Sequence, residues 1–291
     1  MQRVTYINLL NESASFGGEA PYVLCKAEGL GPAELNYEEV RGAFQQGTTL
    51  TGYRRQRREV ELSIHLDGGT RARLYALRQS LSGILSPERA LRGRERARLI
   101  YENDHGRWWT WAAPAGEVHW GARVGEYLSG AKVRFLCESP YWYDMSPAIL
   151  RFQYGSSALQ LPFTLPLRLG YRSFQGRAFV GGQMDTPVEV WVRGTGETPS
   201  LVNRSTGAAL RLTSALPAGS TLYINTDPSR LQADITGADG SVRNAFGLVD
   251  VTHPISHFQL RCGINELEYE PGGDSALTEI ELRWYDRFEG V

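Results

Sequence analysis

Two histidines come nearest, by type and spacing, to a metal-binding pair. His253 and His257 are four residues apart, a spacing that on a helix would place both imidazoles on one face. Pro254 follows His253 directly and the segment runs on into strand-like sequence, so helical spacing does not apply. In an extended chain the two side chains would lie roughly 13 Å apart. We therefore interpret them as ordinary surface or strand-end histidines, and we predict no metal site.

The carboxylates offer a second chemistry, that of paired acid and base in a glycosidase. Glu38 and Glu39 are adjacent, and Glu266, Glu268 and Glu270 alternate along one segment. Alternating glutamates on a strand are more simply its solvated face, because nothing around them would desolvate one member and separate the two pKa values. The sequence also lacks GxSxG, P-loop, HExxH and GxGxxG motifs. We therefore predict no catalytic residue, no cofactor and no enzymatic activity.

The run Trp108-Trp109-Thr110-Trp111 is the densest aromatic segment. On a strand, Trp109 and Trp111 share one face and Trp108 points to the other. We favour packing in the core or in a subunit interface, where tryptophan is concentrated. A platform on which sugars or bases stack is the alternative.

Charge argues against a nucleic-acid binder. The 291 residues carry 31 Lys+Arg against 32 Asp+Glu, a net charge of -1, so no excess of positive charge is available to hold phosphates. The segment Arg54-Arg55-Gln56-Arg57-Arg58 is the densest basic run. In a neutral chain such a run is weak evidence for DNA binding and better evidence for a subunit contact. We therefore predict Arg54, Arg55, Arg57 and Arg58 as candidate interface residues.

The cysteines and the apolar runs exclude further classes. Cys25, Cys137 and Cys262 are far apart and form no CxxC pair, so neither a disulfide framework nor a four-cysteine zinc site is predicted. We expect all three to be buried, reduced and inert. No stretch approaches the roughly 18 apolar residues of a membrane span, so we expect a soluble chain without membrane insertion.

The predicted elements indicate a mainly β protein of two domains. Glu59 to Leu66 alternates apolar and polar residues, as a strand with one buried face does. The following helix, at about 70–85, places leucines at helical spacing and ends at Ser86-Pro87. Further strands separated by turns fill residues 1–150, which we predict to be a β-sandwich domain with this one helix.

Residues 151–291 show a different sequence pattern, which predicts about nine short strands and no helix. They predict a C-terminal β-sandwich or jelly roll. Asn265 to Glu270 and Thr278 to Trp284 alternate and flank a Gly-rich turn, so we predict that they form a closing hairpin. The polar segment Gln153 to Ser157 is the predicted linker.

The order of these segments resembles the siphophage distal tail protein family. In the first domain the resemblance lies in the following segments: Gly29-Leu30-Gly31-Pro32, the loop Gly47 to Tyr53, the strand Arg58 to Leu66, the helix Arg73 to Leu85, and the Pro and aromatic segment Phe135 to Asp144. At the far end it lies in Gly263-Ile264-Asn265 and in Arg283 to Gly290. The resemblance therefore spans both predicted domains.

The resemblance implies an assembly role without an active site. It implies a homo-hexameric ring at the tail tip, built by a tail-tube-like domain at 1–150, with a galectin-like or carbohydrate-module-like domain at 151–291. The expected partners are the tail-tube protein and the tip hub or tail-associated protein, with DNA only in transit through the channel. Trp142, in the aromatic segment, joins the four arginines as a candidate interface residue. The protein would be part of the virion, assembled in the host bacterial cytoplasm.

A second function from another class remains open. The C-terminal sandwich and the aromatic residues also suit a carbohydrate- or receptor-binding module of a phage tail or a cell-surface system, with a host-surface saccharide as ligand. Such a module predicts a monomer or small oligomer with measurable glycan affinity.

Overall fold

A computed structural model describes residues 2–124, 128–153, 174–193, 198–270 and 279–291. The protein is mainly β, as predicted, and its described residues form two compact units. Unit 1 is Met1–Met145 together with Phe288–Val291, and unit 2 is Ser146–Arg287. Of the predicted linker Gln153–Ser157, only Gln153, which ends a strand, lies within the described residues.

Within its described residues, unit 1 has two main β-sheets, two short two-stranded ribbons and one α-helix. Its strands and helix are β1 (Arg3–Ile7), β2 (Ser13–Phe16), β3 (Tyr22–Glu28), β4 (Leu35–Val40), β5 (Thr49–Arg55), β6 (Arg58–Asp67), α1 (Arg71–Ile84), β7 (Leu91–Arg92), β8 (Glu95–Arg96), β9 (Arg98–Glu102), β10 (Arg107–Trp111), β11 (Ala113–Pro114), β12 (His119–Val124), β13 (Leu128–Cys137) and β14 (Trp142–Asp144).

Unit 2 contains the remaining strands. They are β15 (Ala148–Gln153), β16 (Phe174–Val180), β17 (Thr186–Pro187), β18 (Glu189–Arg193), β19 (Ser200–Asn203), β20 (Ala209–Arg211), β21 (Thr221–Asn225), β22 (Gln232–Thr236), β23 (Val242–Asn244), β24 (Gln259–Leu260), β25 (Gly263–Glu270) and β26 (Glu279–Trp284), followed by β27 (Arg287–Phe288), which spans the boundary back to unit 1.

Two sheets enclose the core of unit 1. One has the order β2-β1-β9-β10-β14-β27, and the other has the order β11-β13-β6-β3 with β12 also paired to β13. The alternation predicted for β6 is confirmed, because Val60, Leu62, Ile64 and Leu66 are all buried in the common core. Two ribbons, β4 with β5 and β7 with β8, form separate two-stranded sheets.

The predicted helix is confirmed as α1. The Thr70 side chain accepts a hydrogen bond from the backbone N–H of Arg73, which satisfies one of the unpaired donors at the helix start. Leu74 and Leu81 are buried on the side of the helix that faces the core, and α1 contacts β6 and β2. The helix therefore packs against one strand from each of the two sheets.

Unit 2 is a β-sandwich. A six-stranded sheet of order β15-β26-β18-β21-β22-β23 packs on a four-stranded sheet of order β16-β25-β19-β20. The core between them draws side chains from both sheets, with Leu222 and Leu282 from the larger and Leu201 and Leu267 from the smaller. The jelly-roll or galectin-like character of this unit stays a prediction.

The predicted closing hairpin is wrong. The strand β25 pairs with β16 and β19 in the smaller sheet, whereas β26 pairs with β15 and β18 in the larger one. Each strand alternates correctly, but alternation fixes which side chains are buried and does not fix the partner strand. The predicted Gly-rich turn between them lies outside the described residues.

The expectation that all three cysteines are buried is also wrong. Cys137 is buried, but Cys25 and Cys262 are exposed. Cys25 lies on the edge strand β3, at a register shift between Leu24 and Lys26, where it has no partner residue on β6. Burial raises the pKa of the Cys137 thiol to about 12, which keeps it protonated and unreactive.

The turn at Gly29 is possible only for glycine. Gly29 has a φ of +81°, and a Cβ added there would lie 1.8 Å from the carbonyl oxygen of Glu59. Gly47 has nearly the same φ, +82°, yet a Cβ there would meet nothing within 4 Å. Both positions therefore require a positive φ, but only Gly29 also lacks room for a side chain.

Replacing each glycine with alanine should separate these effects. Gly47→Ala should cost at most about 1–2 kcal/mol, the price of a left-handed conformation for an L-residue. Gly29→Ala should cost about 1–3 kcal/mol more, because the backbone of β6 must also move. Thermal unfolding of both variants and the wild type measures the difference. Equal melting temperatures for the two variants would contradict the steric account of Gly29.

Candidate assembly site at the arginine run and the hairpin

The structure divides the five predicted interface residues into two groups. Arg55, Arg58 and Trp142 come together in a cluster inside unit 1, whereas Arg54 and Arg57 have exposed side chains. The arginine run spans the end of β5 and the start of β6, where the chain leaves an exposed ribbon and enters the core sheet. The arginine run therefore contains two side chains that are largely buried in unit 1 and two that are exposed to solvent.

Arg58 is 1% exposed and holds four backbone carbonyl groups together. Its Nη1 atom donates to the carbonyl oxygens of Gly29, at 2.7 Å, and of Gly31. Its Nη2 atom donates to those of Pro140, at 2.7 Å, and of Glu289. These carbonyls belong to the glycine turn, the Pro and aromatic segment, and the C-terminal residues. The guanidinium therefore joins three segments that are remote in sequence.

Trp142 is fully buried beside this guanidinium. Its ring centroid lies 5.2 Å from the Arg58 guanidinium carbon, within the range of a cation–π contact. Its indole N–H donates to the carbonyl oxygen of Leu30 at 3.1 Å. Both side chains are buried, so the contacts that the structure shows for them lie within the single chain.

The Arg58 cluster is strongly desolvated. Burial lowers the pKa of Arg58 to about 10, so the guanidinium remains charged at neutral pH. Cys137 lies directly opposite Arg58 on β13 and is fully buried. Its thiol therefore reports whether this part of the core stays closed.

Arg55 ties the base of the ribbon to the C-terminal residues. Its guanidinium pairs with the carboxylate of Glu289 and lies 5.1 Å from the Tyr53 ring and 5.7 Å from the Tyr141 ring. The Arg55 side chain is 19% exposed, so this pair is partly shielded from solvent. Arg55 therefore links the base of the ribbon to two segments of unit 1 that are remote in sequence, at Tyr141 and Glu289.

The ribbon β4–β5, which we call the hairpin arm (residues 35–55), exposes apolar side chains along its length. Phe44, in the loop at its tip, is 100% exposed. Leu35 and Tyr37 on β4 lie opposite Arg55 and Tyr53 on β5, so the two tyrosines share one face. The exposed large apolar side chains of the arm are Leu35 (39%), Tyr37 (48%), Val40 (58%), Phe44 (100%), Leu50 (57%) and Tyr53 (53%).

Such an arm is an unusual feature for an isolated chain. A two-stranded ribbon is marginally stable alone in water, and contiguous apolar surface marks sites of interaction. Arg54 pairs with Glu38 at 2.9 Å, and Arg57 pairs with Glu59 at 3.0 Å, both at exposed positions where an ion pair contributes little to stability.

The sequence analysis identified the arginines and the loop before them but missed the exposed apolar residues. Their signal in the sequence is a strand pattern without a partner strand.

The residues considered for other chemistry lie elsewhere and are not assembled into a site. His253 faces Asp250 at 3.0 Å, and no group of three metal-ligating side chains occurs among the described residues. On β25, Glu266 is exposed and pairs with Arg177, whereas the largely buried Glu268 pairs with Arg204. In the described ranges no helix is long and apolar enough to cross a membrane.

The tryptophan run has the predicted arrangement. Trp108 packs in the core near Tyr101 and Phe288, with ring centroids 6.3 and 6.2 Å away. Trp109 and Trp111 share the opposite face of β10, with ring centroids 4.7 Å apart.

Comparison with solved structures gives similarity over the whole chain. The Dit (gp 19.1) protein of phage SPP1, a paradigm of the hub adsorption apparatus in phages that infect Gram-positive bacteria, aligns over 99% of each chain with a TM-score of 0.67 and 11% identity. A chain of the phage P2 baseplate in its activated conformation with calcium aligns over 100% of this chain and 99% of its own, with a TM-score of 0.58 and 12% identity. The chain has the Dit fold.

A chain of the phage p2 baseplate with strontium, also in its activated conformation, agrees with this result. It aligns over 97% of each chain with a TM-score of 0.52 and 11% identity. The chain matches no protein-family model and no curated protein sequence. The resemblance to distal tail proteins expected from the sequence is therefore confirmed at the level of the fold.

Removing the Arg58 guanidinium should destabilise unit 1. Arg58→Met keeps an apolar stem but leaves four carbonyl oxygens without this donor, and each buried unsatisfied group costs about 1–3 kcal/mol. We expect a loss of at least about 3 kcal/mol in the free energy of unfolding, seen as a drop of about 6 °C or more in melting temperature. Native thiol labelling should find Cys25 and Cys262 reactive in both proteins and Cys137 markedly more reactive in the variant.

Arg57→Met is the matched control, because that side chain is exposed and should change stability by no more than about 0.5 kcal/mol. If Arg58→Met had the melting temperature of the wild type and Cys137 stayed protected from labelling, the claim that Arg58 stabilises unit 1 would be wrong.

Proposed function

We propose that the protein is a structural component of a phage tail tip. It assembles as a hexameric ring that connects the tail tube to the tip or baseplate hub and leaves a channel for DNA. The partners are the tail-tube protein and the hub or tail-associated protein, and the site of action is the virion, assembled in the host cytoplasm. The proposal includes no catalysis and no cofactor.

The observation that carries this proposal is the hairpin arm on a chain with the Dit fold. The arm extends apolar side chains into solvent, with Phe44 fully exposed at its tip. Exposed apolar surface of this kind is stabilised when a partner covers it, at roughly 25 cal/mol for each Å² removed from water. A permanent ring supplies such a cover to every copy, because each subunit of a closed ring offers one face and receives another.

Arg54 and Arg57 lie at the base of the same arm and remain the predicted interface arginines. Their present partners, Glu38 and Glu59, are exposed, so both ion pairs can be exchanged for contacts with a neighbour at little cost. For Arg55 the proposed role is positional, since its ion pair with Glu289 holds the base of the arm. We therefore assign recognition to the arm and its exposed arginines, and positioning to Arg55.

The solution mass tests the proposal. Light scattering of the purified chain should give about 194 kDa, six times the mass of 32.4 kDa, and negative-stain images should show a closed ring with a central hole. Phe44→Ser should weaken assembly by about tenfold or more without lowering the melting temperature of the monomer, because the side chain makes its contacts only with a neighbour.

Phe179→Ser is the control variant, since Phe179 is also strongly exposed, at 66%, but lies on unit 2. A wild-type chain that stays monomeric at high concentration, with no ring after addition of the tail-tube protein, would refute the proposal. If the Phe44 and Phe179 variants assembled equally well, the hairpin arm would not be part of the subunit interface.

A saccharide-binding role for unit 2 is the second candidate, and one surface favours it. Trp191 and Tyr223 lie side by side on the outer face of the six-stranded sheet, with ring centroids 5.1 Å apart. The Tyr223 hydroxyl donates to Glu189 at 3.1 Å, and Glu281 accepts hydrogen bonds from Arg151 at 2.7 Å and Arg283 at 2.9 Å. Aromatic rings among fixed polar groups suit the apolar face and the hydroxyls of a sugar.

A glycan array with the wild-type chain tests this second role. Trp191→Ala should lose about tenfold or more in affinity for any glycan retained, because the ring supplies the stacking surface. Phe179→Ala, on the other sheet, should bind as the wild type does. An array without a retained glycan, or unchanged binding by the Trp191 variant, would exclude this surface as a saccharide site.

A further inference from the structure

Arg98 is an exposed cation held in place by two tryptophan rings. Its guanidinium carbon lies 5.2 Å from the Trp111 ring centroid and 5.5 Å from that of Trp109. Trp109 is itself fixed, because it stacks on Tyr143 at 5.0 Å and donates from its indole N–H to the carbonyl oxygen of Asp144 at 2.8 Å. The Arg98 side chain therefore loses little freedom when an acid binds to it.

No carboxylate of the described chain pairs with Arg98. The guanidinium borders a groove of about 380 Å³ on unit 1, whose wall also includes the apolar Ile7, Leu9 and Trp111 and the polar Asn8, Asn11, Glu95 and Arg96. Leu10, next along the chain, is 61% exposed. The ribbon β7–β8 therefore contributes one acid and one base to the wall, and the base, Arg96, pairs with Glu138 at 2.6 Å. This region, which we call the Arg98 groove, therefore combines apolar and polar walls, and its lining carries two arginines against one glutamate.

The hairpin arm has the complementary chemistry. Glu39 on β4 is exposed, and it has no ion-pair partner within the ranges that the structure describes. Its cross-strand neighbour is the exposed Leu50, and the tyrosine pair Tyr37 and Tyr53 lies further along the same ribbon. Among the described residues, the arm therefore presents an acid without an ion-pair partner beside apolar side chains. The groove presents Arg98, a base without a carboxylate partner, beside the apolar Ile7, Leu9 and Trp111.

We infer that the Arg98 groove of one copy receives the hairpin arm of the neighbouring copy, with the Glu39 carboxylate on the Arg98 guanidinium. The inference rests on the proposed ring and names its contact. Every chain carries one arm and one groove, which is the condition for a heterologous interface that closes on itself. Arg98 offers a planar pair of donors that matches a carboxylate, and the stacking on tryptophan presets its geometry.

A charge swap between copies tests the pairing. Glu39→Arg places two cations at every interface, and Arg98→Glu places two anions there. Each variant alone should therefore fail to form rings at a concentration where the wild type does, with assembly weakened by about tenfold or more. A mixture of the two variants should restore rings, because alternating copies then meet with opposite charges at every contact, and six is an even number. The double variant Glu39→Arg/Arg98→Glu should restore them as well.

Circular dichroism melts of each variant show whether the chain still folds. Arg98→Gln serves as a second variant, because it keeps a planar side chain beside the tryptophans and removes only the charge. It should weaken assembly and should not be rescued by Glu39→Arg. Arg243→Glu, at an exposed arginine on unit 2 outside both the arm and the groove, is the control and should give no rescue when mixed with Glu39→Arg.

The outcomes separate the two proposals. Rings from the wild type together with rings from both single variants would overturn the pairing and leave the proposed function standing. Rings from the wild type with no rescue in the mixture or in the double variant would overturn it too. A wild-type chain that forms no ring under any condition would overturn the proposed function and, with it, this contact.

Discussion

The first unit depends on one buried positive charge. Arg58 donates to four carbonyl oxygens from three remote segments, with Trp142 packed against the guanidinium. A buried charge is costly unless its hydrogen bonds are made, so the glycine turn, the aromatic segment and the C-terminal residues must all be in place together. Gly29 belongs to the same constraint, since a side chain there would collide with the strand that carries Arg58. The hydrogen bonds of Arg58 therefore hold three segments of unit 1 in fixed positions relative to one another.

This constraint also bears on assembly. Arg55, three residues before Arg58, ties the base of the hairpin arm to Glu289, whose carbonyl oxygen is held by Arg58. The arm thus leaves unit 1 from a fixed base, while its apolar side chains stay in solvent. A rigid base and an uncovered surface are what a ring subunit needs, because a preset arm loses less entropy when a neighbour covers it. The Arg98 guanidinium is likewise positioned in the single chain, by its contacts with Trp109 and Trp111.

The sequence allowed the helix, the alternation of β6 and the two faces of the tryptophan run to be predicted, because each is a local pattern with a period. It did not allow the partner of β25 to be predicted, since alternation on a strand is the same whichever sheet the strand joins. It located the arginine run but not the division within it, because burial of Arg58 follows from carbonyl groups contributed by residues as distant as Glu289. The exposure of the arm was equally hidden, since the apolar residues of β4 and β5 have the pattern of an ordinary buried strand pair.

The central claim is that the hairpin arm is exposed in the single chain and covered by a neighbour in a ring. Hydrogen–deuterium exchange read by mass spectrometry, on the chain at a dilution that keeps it monomeric and at a concentration that favours assembly, addresses this directly. The account predicts that amides of β4 and β5 exchange quickly in the monomer and at least about tenfold more slowly in the assembly, while the core strand β6 is protected in both. Equal, fast exchange of the arm in an assembled particle would contradict it.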